Sequence, residues 1–253
     1  MSRRKLSVQA TLGLALFAGC NSEGHWSYEG ETGPALWAEL SPDYALCKEG
    51  LQQTPINLSS ATQASATPEA LRFNYLPVPL QILNNGHTVQ VQDSVGGGFT
   101  VGASTYTLAQ LHFHSPSEHT VDGKSFDLEM HLVHKAGTKL AVVGLLFNRD
   151  GDHDNAALKP IWDNLPKNVT EEGALVPNQH VDLAALLPAK AAYFRYPGSL
   201  TTPPCSEGVD WFVLDQVGVV SDAQVDAFRT LMNISTNRPV QPLHDRVVAK
   251  VVP

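Results

Sequence analysis

Short runs in which apolar and polar residues alternate are the feature of this sequence that most constrains its fold. The clearest run is residues 110–114, Gln-Leu-His-Phe-His. Side chains of a β-strand point to opposite faces with a period of two residues, so this run predicts a strand. Further alternating or apolar runs, bounded by turn residues, cover residues 80–83, 87–92, 105–114, 126–134, 140–147, 191–196 and 209–220. Together they predict a large β-sheet.

Helical features are confined to two short segments. Residues 154–164 are compatible with a helix that ends before Pro166. Residues 221–232 begin with Ser221, a favoured N-cap, and carry an apolar stripe with a helical period. We expect both helices to lie at the periphery of the sheet. Because no Pro/Gly/Ser-rich linker interrupts the chain, residues 35–253 are expected to form a single domain.

The first 20 residues have the pattern of an export signal. Three cationic residues precede a mostly apolar stretch at residues 6–18, which is too short to span a bilayer. Residues 17–20, Phe-Ala-Gly-Cys, resemble a bacterial lipoprotein box, in which Cys20 would be lipidated. We therefore expect a signal peptide at residues 1–19 and a tether at residues 20–34. The alternative is ordinary cleavage nearby, with Cys20 removed or left free.

Charge and cysteine content indicate which partners the protein binds and in which compartment it folds. The formal net charge is −8, which argues against nucleic acid or anionic lipid as the main partner. An exported protein enters an oxidising compartment, where cysteines pair. If Cys20 is lipidated, Cys47 and Cys205 are the two that remain to form a disulfide. Two buried thiols are the alternative.

Histidines on two predicted strands suggest a metal site. Gln110, His112 and His114 share one face of the first strand because they are spaced by two residues. Glu129, His131 and Val133 share one face of the next strand.

A turn at Asp122-Gly123 would let these strands run antiparallel and bring the three histidines together. Three imidazoles that leave a fourth position open are typical of a catalytic Zn²⁺ site. Gln110 and Glu129 each lie two residues from a candidate ligand, so they are candidates to orient the imidazole rings.

The histidines are compatible with other interpretations. Residues 112–118 also resemble the first half of a cupin metal motif, His-x-His-x-x-x-Glu, but Tyr106 stands where that motif requires Gly. Histidines without such a context are expected to be surface residues or satisfied core residues: His25, His153, His180 and His244. His119 and His134 are expected to serve the structure.

Seven ordered motifs closely resemble those of α-class carbonic anhydrases, in particular the exported bacterial members. The motifs are residues 25–28 (HWSY), 53–58 (QTPINL), 84–87 (NNGH), 110–119 (QLHFHSPSEH), 128–134 (LEMHLVH), 196–205 (YPGSLTTPPC) and 237–243 (NRPVQPL). The resemblance implies a mainly β (α+β) fold with a large central twisted, mostly antiparallel sheet and a zinc ion in a conical cleft. It also implies a disulfide between Cys47 and Cys205.

The resemblance further implies reversible hydration of carbon dioxide to bicarbonate and a proton, by attack of zinc-bound hydroxide. The implied zinc ligands are His112, His114 and His131. Thr201 and Glu118 would orient the hydroxide, and His87 would carry protons to buffer. The implied substrate pocket consists of Gln90, Val133, Val142, Leu200, Thr202, Val209 and Trp211.

Two further expectations concern the setting and a rival function. The protein is expected in the bacterial periplasm or cell envelope, as a monomer or homodimer. The rival function is that of a catalytically silent binding module, because some relatives of the family have lost a zinc ligand. The complete ligand set of this chain argues against it.

Overall fold

The computed structural model describes residues 24–60, 62, 69–93, 95–188 and 190–252. The predicted signal peptide and Cys20 therefore lie outside the described residues. The strands, in chain order, are β1 (Asn57–Leu58), β2 (Arg72–Phe73), β3 (Val78–Asn84), β4 (Val89–Gln92), β5 (Gly98–Val101), β6 (Ser104–His114), β7 (Thr120–Val121), β8 (Leu128–Ala136), β9 (Lys139–Arg149), β10 (Ala174–Val181), β11 (Tyr193–Ser199), β12 (Glu207–Leu214), β13 (Gly218–Val220) and β14 (Ala249–Val251). The α-helices are α1 (Trp37–Leu40), α2 (Leu46–Glu49), α3 (Lys159–Trp162) and α4 (Asp222–Met232), and 3₁₀ turns cover Gly30–Thr32, Pro42–Tyr44 and Leu183–Leu186.

One large sheet dominates the described part of the chain. Twelve strands form it, and its main path runs β10-β3-β4-β6-β8-β9-β12-β11-β14. Neighbours along this path are antiparallel except for β9 and β12, which are parallel, and β13 also pairs with β9 in parallel. The expected large, mostly antiparallel sheet is thus confirmed, and the parallel pairs make it a mixed sheet.

The predicted strand at residues 209–220 is divided in the structure. β12 ends at Leu214 and β13 begins at Gly218. The backbone N–H of Asp215 still donates to the carbonyl of Ala192, in register with the β11–β12 pairing, and the backbone bends at residues 215–216. The chain turns there, and β13 rejoins the sheet farther along β9.

The two predicted helices differ in how well they form. α4 begins where expected, because Ser221 and Gln224 form a reciprocal capping box at its N-terminus. α3 is much shorter than the predicted residues 154–164. Pro160 lacks a backbone N–H and is tolerated only in the first turn of a helix, so the helix cannot extend across it towards Asp154.

The two faces of the central strands have different roles. Leu111 and Phe113 of β6 belong to the larger apolar core, where Phe113 packs against Phe228 of α4. His112 and His114 alternate with these residues and therefore face the opposite side of the sheet. The strand period thus separates the core from the candidate site.

The N-terminal part of the described chain packs against the sheet domain. Tyr28 is buried, and the rings of Trp26 and Trp37 meet edge to face with centroids 5.3 Å apart. The hydroxyl of Tyr44 donates to the carbonyl of Gly24. From Gly24 onward the segment therefore differs from the predicted tether at residues 20–34, because its aromatic side chains are part of a core. Among the described residues, no helix has the length and apolar character needed to cross a membrane.

Candidate active site

Three histidines meet where β6 and β8 pair. The antiparallel register sets His112 opposite His131 and His114 opposite Glu129. One ring nitrogen from each of His112, His114 and His131 lies within 4.8 Å of the other two. Asp122 and Gly123, both with positive φ, lie in the connection between the strands, at the turn predicted from the sequence. The structure therefore brings the three predicted ligands together.

Each of these rings is fixed by a hydrogen bond on its outer nitrogen. His112 Nδ1 lies 2.8 Å from Gln110 Oε1, and His131 Nε2 lies 2.8 Å from Glu129 Oε1. His114 Nδ1 lies 2.6 Å from the carbonyl oxygen of Thr236. Because all three oxygens are acceptors, these ring nitrogens donate, and the opposite nitrogen of each ring keeps its lone pair.

The inward nitrogens fit a metal ion. His114 Nε2 is buried and has no hydrogen-bond partner among the described residues. A buried polar atom without a partner is costly, and coordination of a cation would satisfy it. Burial lowers the pKa of His112 and His131, and it lowers that of His114 to about 4. The neutral imidazoles are the form that binds zinc.

Glu118 lies beside the histidine cluster. Its Oε1 accepts a hydrogen bond of 2.8 Å from the backbone N–H of Arg238, and its Oε2 is 3.5 Å from His114 Nε2. Burial raises the pKa of Glu118 to about 7, while His131, the Arg238 N–H and the Thr201 hydroxyl oppose that rise. Glu118 and Thr201 are thus close enough to interact, as the sequence motifs predict.

A second carboxylate joins the ligand His131 to a buried network. The two oxygens of Glu129 accept from His131, from the ring of His119 and from the backbone N–H groups of Glu118 and His119. Although burial alone would raise its pKa, the contacts with His119 and His131 hold the pKa of Glu129 well below its ordinary value. The other ring nitrogen of His119 lies 2.6 Å from the Tyr196 hydroxyl oxygen. Glu129 therefore supports both His131 and the backbone at Glu118.

An apolar wall adjoins the histidines. The predicted pocket residues Val133, Val142, Val209 and Trp211 belong to one buried cluster, and the half-buried Leu200 packs against it. The Trp211 ring centroid is 4.9 Å from that of His131. Gln90, Gln110 and Val133 line a cleft that opens to solvent. Thr202 is half-buried beside Thr201.

His87 occupies a turn before β4. The side-chain oxygen of Asn85 accepts hydrogen bonds from the backbone N–H groups of His87 and Thr88, and Gly86 has the positive φ that this turn requires. The half-buried imidazole stacks on Trp26. Burial, followed by the nearby His25, lowers the pKa of His87.

The loop that carries Thr201 is tied at both ends. Cys205 forms a disulfide with Cys47, which confirms the expected bridge. The backbone N–H of Cys205 also donates to the Thr202 carbonyl. At the other end, a Cβ atom at Gly198 would overlap Thr54 Oγ1, so the close approach of these segments requires glycine.

Two residues of the site are missing from the predictions made from sequence. Thr236 anchors His114 through a main-chain carbonyl, and Arg238 contacts Glu118 through a main-chain N–H. Arg238 lies in the motif at residues 237–243, which assigns it no role, and Thr236 precedes that motif.

Comparisons with known proteins agree with the geometry. A family model described as eukaryotic-type carbonic anhydrase matches residues 32–252. A carbonic anhydrase of Pectobacterium carotovorum is 42% identical over 246 residues, which cover 96% of this chain and 98% of that protein. The α-carbonic anhydrase of Thermovibrio ammonificans, solved with the inhibitor sulfanilamide, superposes with a TM-score of 0.84 at 39% identity and covers 90% of this chain and 99% of its own.

A hyperthermostable carbonic anhydrase from a hydrothermal vent chimney has a TM-score of 0.81 and 41% identity, over 90% of this chain and 100% of that chain. The cupin alternative is therefore wrong. The matched length, the identities and the shared fold together establish that this chain belongs to the α-carbonic anhydrase family.

Proposed function

We propose that this protein catalyses the zinc-dependent, reversible hydration of carbon dioxide to bicarbonate and a proton, and that His112, His114 and His131 hold the zinc ion. The reaction is the one for which the matched family and its bacterial relatives are named, and carbonic anhydrases of this family use zinc. The observation that carries the proposal is the convergence of three imidazole lone pairs, with the buried Nε2 of His114 lacking a hydrogen-bond partner among the residues that the structure describes. When bound by three imidazoles, zinc lowers the pKa of water to about 7 and so supplies hydroxide near neutral pH.

Thr201 and Glu118 orient the reacting oxygen. Glu118 Oε2 has no hydrogen-bond partner among the described residues, and we assign the hydrogen bond donated by the Thr201 hydroxyl to this carboxylate, a contact that lowers the pKa of Glu118. The Thr201 oxygen then remains free to accept a hydrogen bond from the attacking group and to fix its direction. The Arg238 N–H holds the other carboxylate oxygen, so the carboxylate cannot rotate away without losing that bond.

The apolar wall selects for a small apolar substrate. Carbon dioxide carries no charge, so it needs a dry surface rather than a charged anchor. Val142, Val209 and Trp211 are almost fully buried and exclude water from one side of the site. Of the polar residues, Gln90 lines the cleft that opens to solvent, and Thr202 is half-buried beside Thr201.

His87 moves the proton to solvent. It lies at a half-buried position in the turn before β4, and its neutral ring accepts a proton delivered through water molecules in the cleft. Because the pKa of His87 is lowered, its ring stays neutral down to a lower pH than the ring of an ordinary histidine. It can therefore accept protons over that wider range.

The protein acts outside the cytoplasm, in the periplasm or cell envelope, and is anchored by a lipid on Cys20. The signal-like residues 1–19 and the disulfide between Cys47 and Cys205 support export. Mass spectrometry of membrane-extracted protein should detect an acyl adduct on Cys20, whereas a soluble, unmodified protein would refute anchoring. Light scattering should give the mass of a monomer or homodimer.

Stopped-flow CO2 hydration by the purified, zinc-loaded protein tests the activity. We expect rapid hydration by the wild type, loss of about 100-fold in kcat/KM for Thr201→Val, and retention of most activity for Thr201→Ser, which keeps the hydroxyl. A protein that binds one zinc ion and does not hydrate CO2 would instead be a silent binding module.

A further inference from the structure

Arg238 is a buried cation whose side chain has no carboxylate partner in the described part of the chain. Only 1% of the residue is exposed, and its guanidinium donates hydrogen bonds of 2.8 Å to Gln53 Oε1 and to the carbonyls of Thr54 and Cys47. Its guanidinium carbon also lies 5.7 Å from the ring centroid of Trp37. Burying a charge that is solvated only by neutral acceptors is costly, so this arrangement needs a reason.

The backbone of the same residue touches the proposed catalytic machinery. The Arg238 N–H donates to Glu118 Oε1, and two residues earlier the Thr236 carbonyl accepts from His114. Residues 236–243 belong to no strand or helix. The position of this segment therefore depends on individual anchors, which include the buried side chains of Thr236 and Arg238.

The acceptors of the guanidinium lead to the loop that carries Thr201. Gln53 Nε2 donates to the carbonyl of Cys205. The backbone N–H of Thr54 donates to Ser199 Oγ, and the backbone N–H of Ser199 donates to Thr54 Oγ1. Both hydrogen bonds are 3.0 Å long. Gln53 and Thr54 therefore contact the loop on either side of Thr201.

We propose that the Arg238 guanidinium is the group that positions Glu118 and Thr201 relative to each other. It binds residues 53–54, which contact the loop on either side of Thr201, and so holds them next to the backbone N–H that binds Glu118. The inference rests on the proposed roles of Glu118 and Thr201. It assigns the side chain of Arg238 no contact with substrate. Its effect is exerted through the relative position of two segments that are far apart in sequence.

A double-mutant cycle between Arg238→Met and Glu118→Gln tests this role. We expect Arg238→Met, with zinc bound, to lower kcat/KM for CO2 by about 10- to 100-fold. In the Glu118→Gln background the same change should lower kcat/KM less than about twofold, because the group that it positions is already lost. The increase of kcat on addition of imidazole reports the proton-transfer step. This relative increase should be the same for Arg238→Met as for wild type.

Arg246 offers a matched control. It is also a buried arginine whose guanidinium donates to three main-chain carbonyls, those of Leu243, Pro242 and Pro197, and it lies over the ring of Tyr196. It does not contact Glu118. Arg246→Met should therefore reduce stability without lowering kcat/KM of the folded, zinc-loaded protein by more than about twofold.

Three results would overturn the inference. The first is that Arg238→Met has the same kcat/KM as wild type. The second is that Arg246→Met loses as much kcat/KM as Arg238→Met. The third is that the losses from Arg238→Met and Glu118→Gln multiply independently. If Arg238→Met does not fold, Arg238→Lys replaces it in the cycle, because a lysine keeps the cation but lacks the planar fork that reaches three acceptors. Wild-type kcat/KM in Arg238→Lys would then overturn the inference. Full activity of Glu118→Gln alone would instead refute the proposed role of Glu118.

Discussion

The indole of Trp26 lies flat against the imidazole of His87, with ring centroids 3.7 Å apart and planes 9° from parallel. The N-terminal segment thereby covers one face of the proposed proton carrier. Burial lowers the pKa of His87, and the neighbouring His25 lowers it further. The packing of this segment thus affects the pH range in which the carrier works.

Trp26→Leu should raise the pKa of His87 towards its ordinary value, because it exposes the ring to water. A protonated imidazole cannot accept another proton, so the acid limb of kcat in weak buffer should move to higher pH. The NMR titration of the His87 ring protons and the pH profile of kcat measure the two effects. Trp26→Phe keeps an aromatic partner and should stay near wild type. Identical titration curves for Trp26→Leu and wild type would contradict the prediction.

His87→Ala should lower kcat in weak buffer by at least about 100-fold, the lower end of the usual contribution of a proton-transfer group. Added imidazole should restore much of the loss. Because the carbon dioxide step does not use the carrier, kcat/KM should stay unchanged. The exposed His153 is the matched control, since His153→Ala should behave as wild type. Unchanged kcat in His87→Ala would remove the residue from the pathway.

Gln110→Leu should weaken zinc binding by about 10- to 100-fold, because His112 loses the acceptor that fixes its ring. Competition with a chromophoric chelator measures the affinity. Gln92 lies opposite Gln110 on β4 and accepts no hydrogen bond from a ligand ring in the described structure, so Gln92→Leu is the control. Equal affinities for Gln110→Leu and Gln92→Leu would mean that the Gln110 contact does not support the metal.

His134 should make the fold sensitive to acid. Burial lowers its pKa from 6.5 to about 3, so below pH 6.5 the unfolded chain binds a proton that the folded chain rejects. The free energy of unfolding should therefore fall by about 1.4 kcal/mol per pH unit from this group, and the loss should level off below pH 3.

His134→Leu removes that contribution, although it also removes the contact between His134 and the Tyr75 hydroxyl. Urea denaturation at several pH values should give a shallower acid slope for His134→Leu than for wild type. His180→Leu, at an exposed position, should keep the wild-type slope. Parallel slopes for His134→Leu and wild type would show that His134 is not the acid-sensitive group.

The disulfide should contribute strongly to stability because it joins residues separated by 158 positions. In the chain-entropy model a loop of that length is worth about 5 kcal/mol, so the Cys47→Ser/Cys205→Ser double variant should lose about that much free energy of unfolding. Cys20→Ser should lose none. A loss below about 1 kcal/mol in the double variant would show that the crosslink hardly constrains the unfolded chain.

The zinc-site geometry was predictable where it follows from strand periodicity. His112, His114 and His131 needed only a period of two and an antiparallel pairing. The contacts of Gln110 and Glu129 with these rings follow from the same spacing. The match of the remaining motifs to a known family supplied the roles of Thr201 and His87, which no periodicity contains.

Other contacts could not be read from the sequence because they use main-chain atoms of distant segments. Thr236 and Arg238 support His114 and Glu118 through a carbonyl and an N–H, which every residue type offers. Likewise, a bend at residues 215–216 separates β12 from β13, and the two strands pair with different parts of β9. Such choices are made by the assembled sheet and not by local preference.

Gly24 and Trp26 both pack against the rest of the domain, and this has a consequence for an anchored form of the enzyme. An extended chain spans at most about 3.6 Å per residue, so an acyl group on Cys20 would leave no more than about 14 Å between the lipid and Gly24. Because Trp26 stacks on His87, the proposed proton carrier would lie near the point where such an anchor joins the domain. Protons that leave through His87 would then enter solvent within a short distance of the membrane, so the lipid surface would sense the reaction before the bulk compartment did.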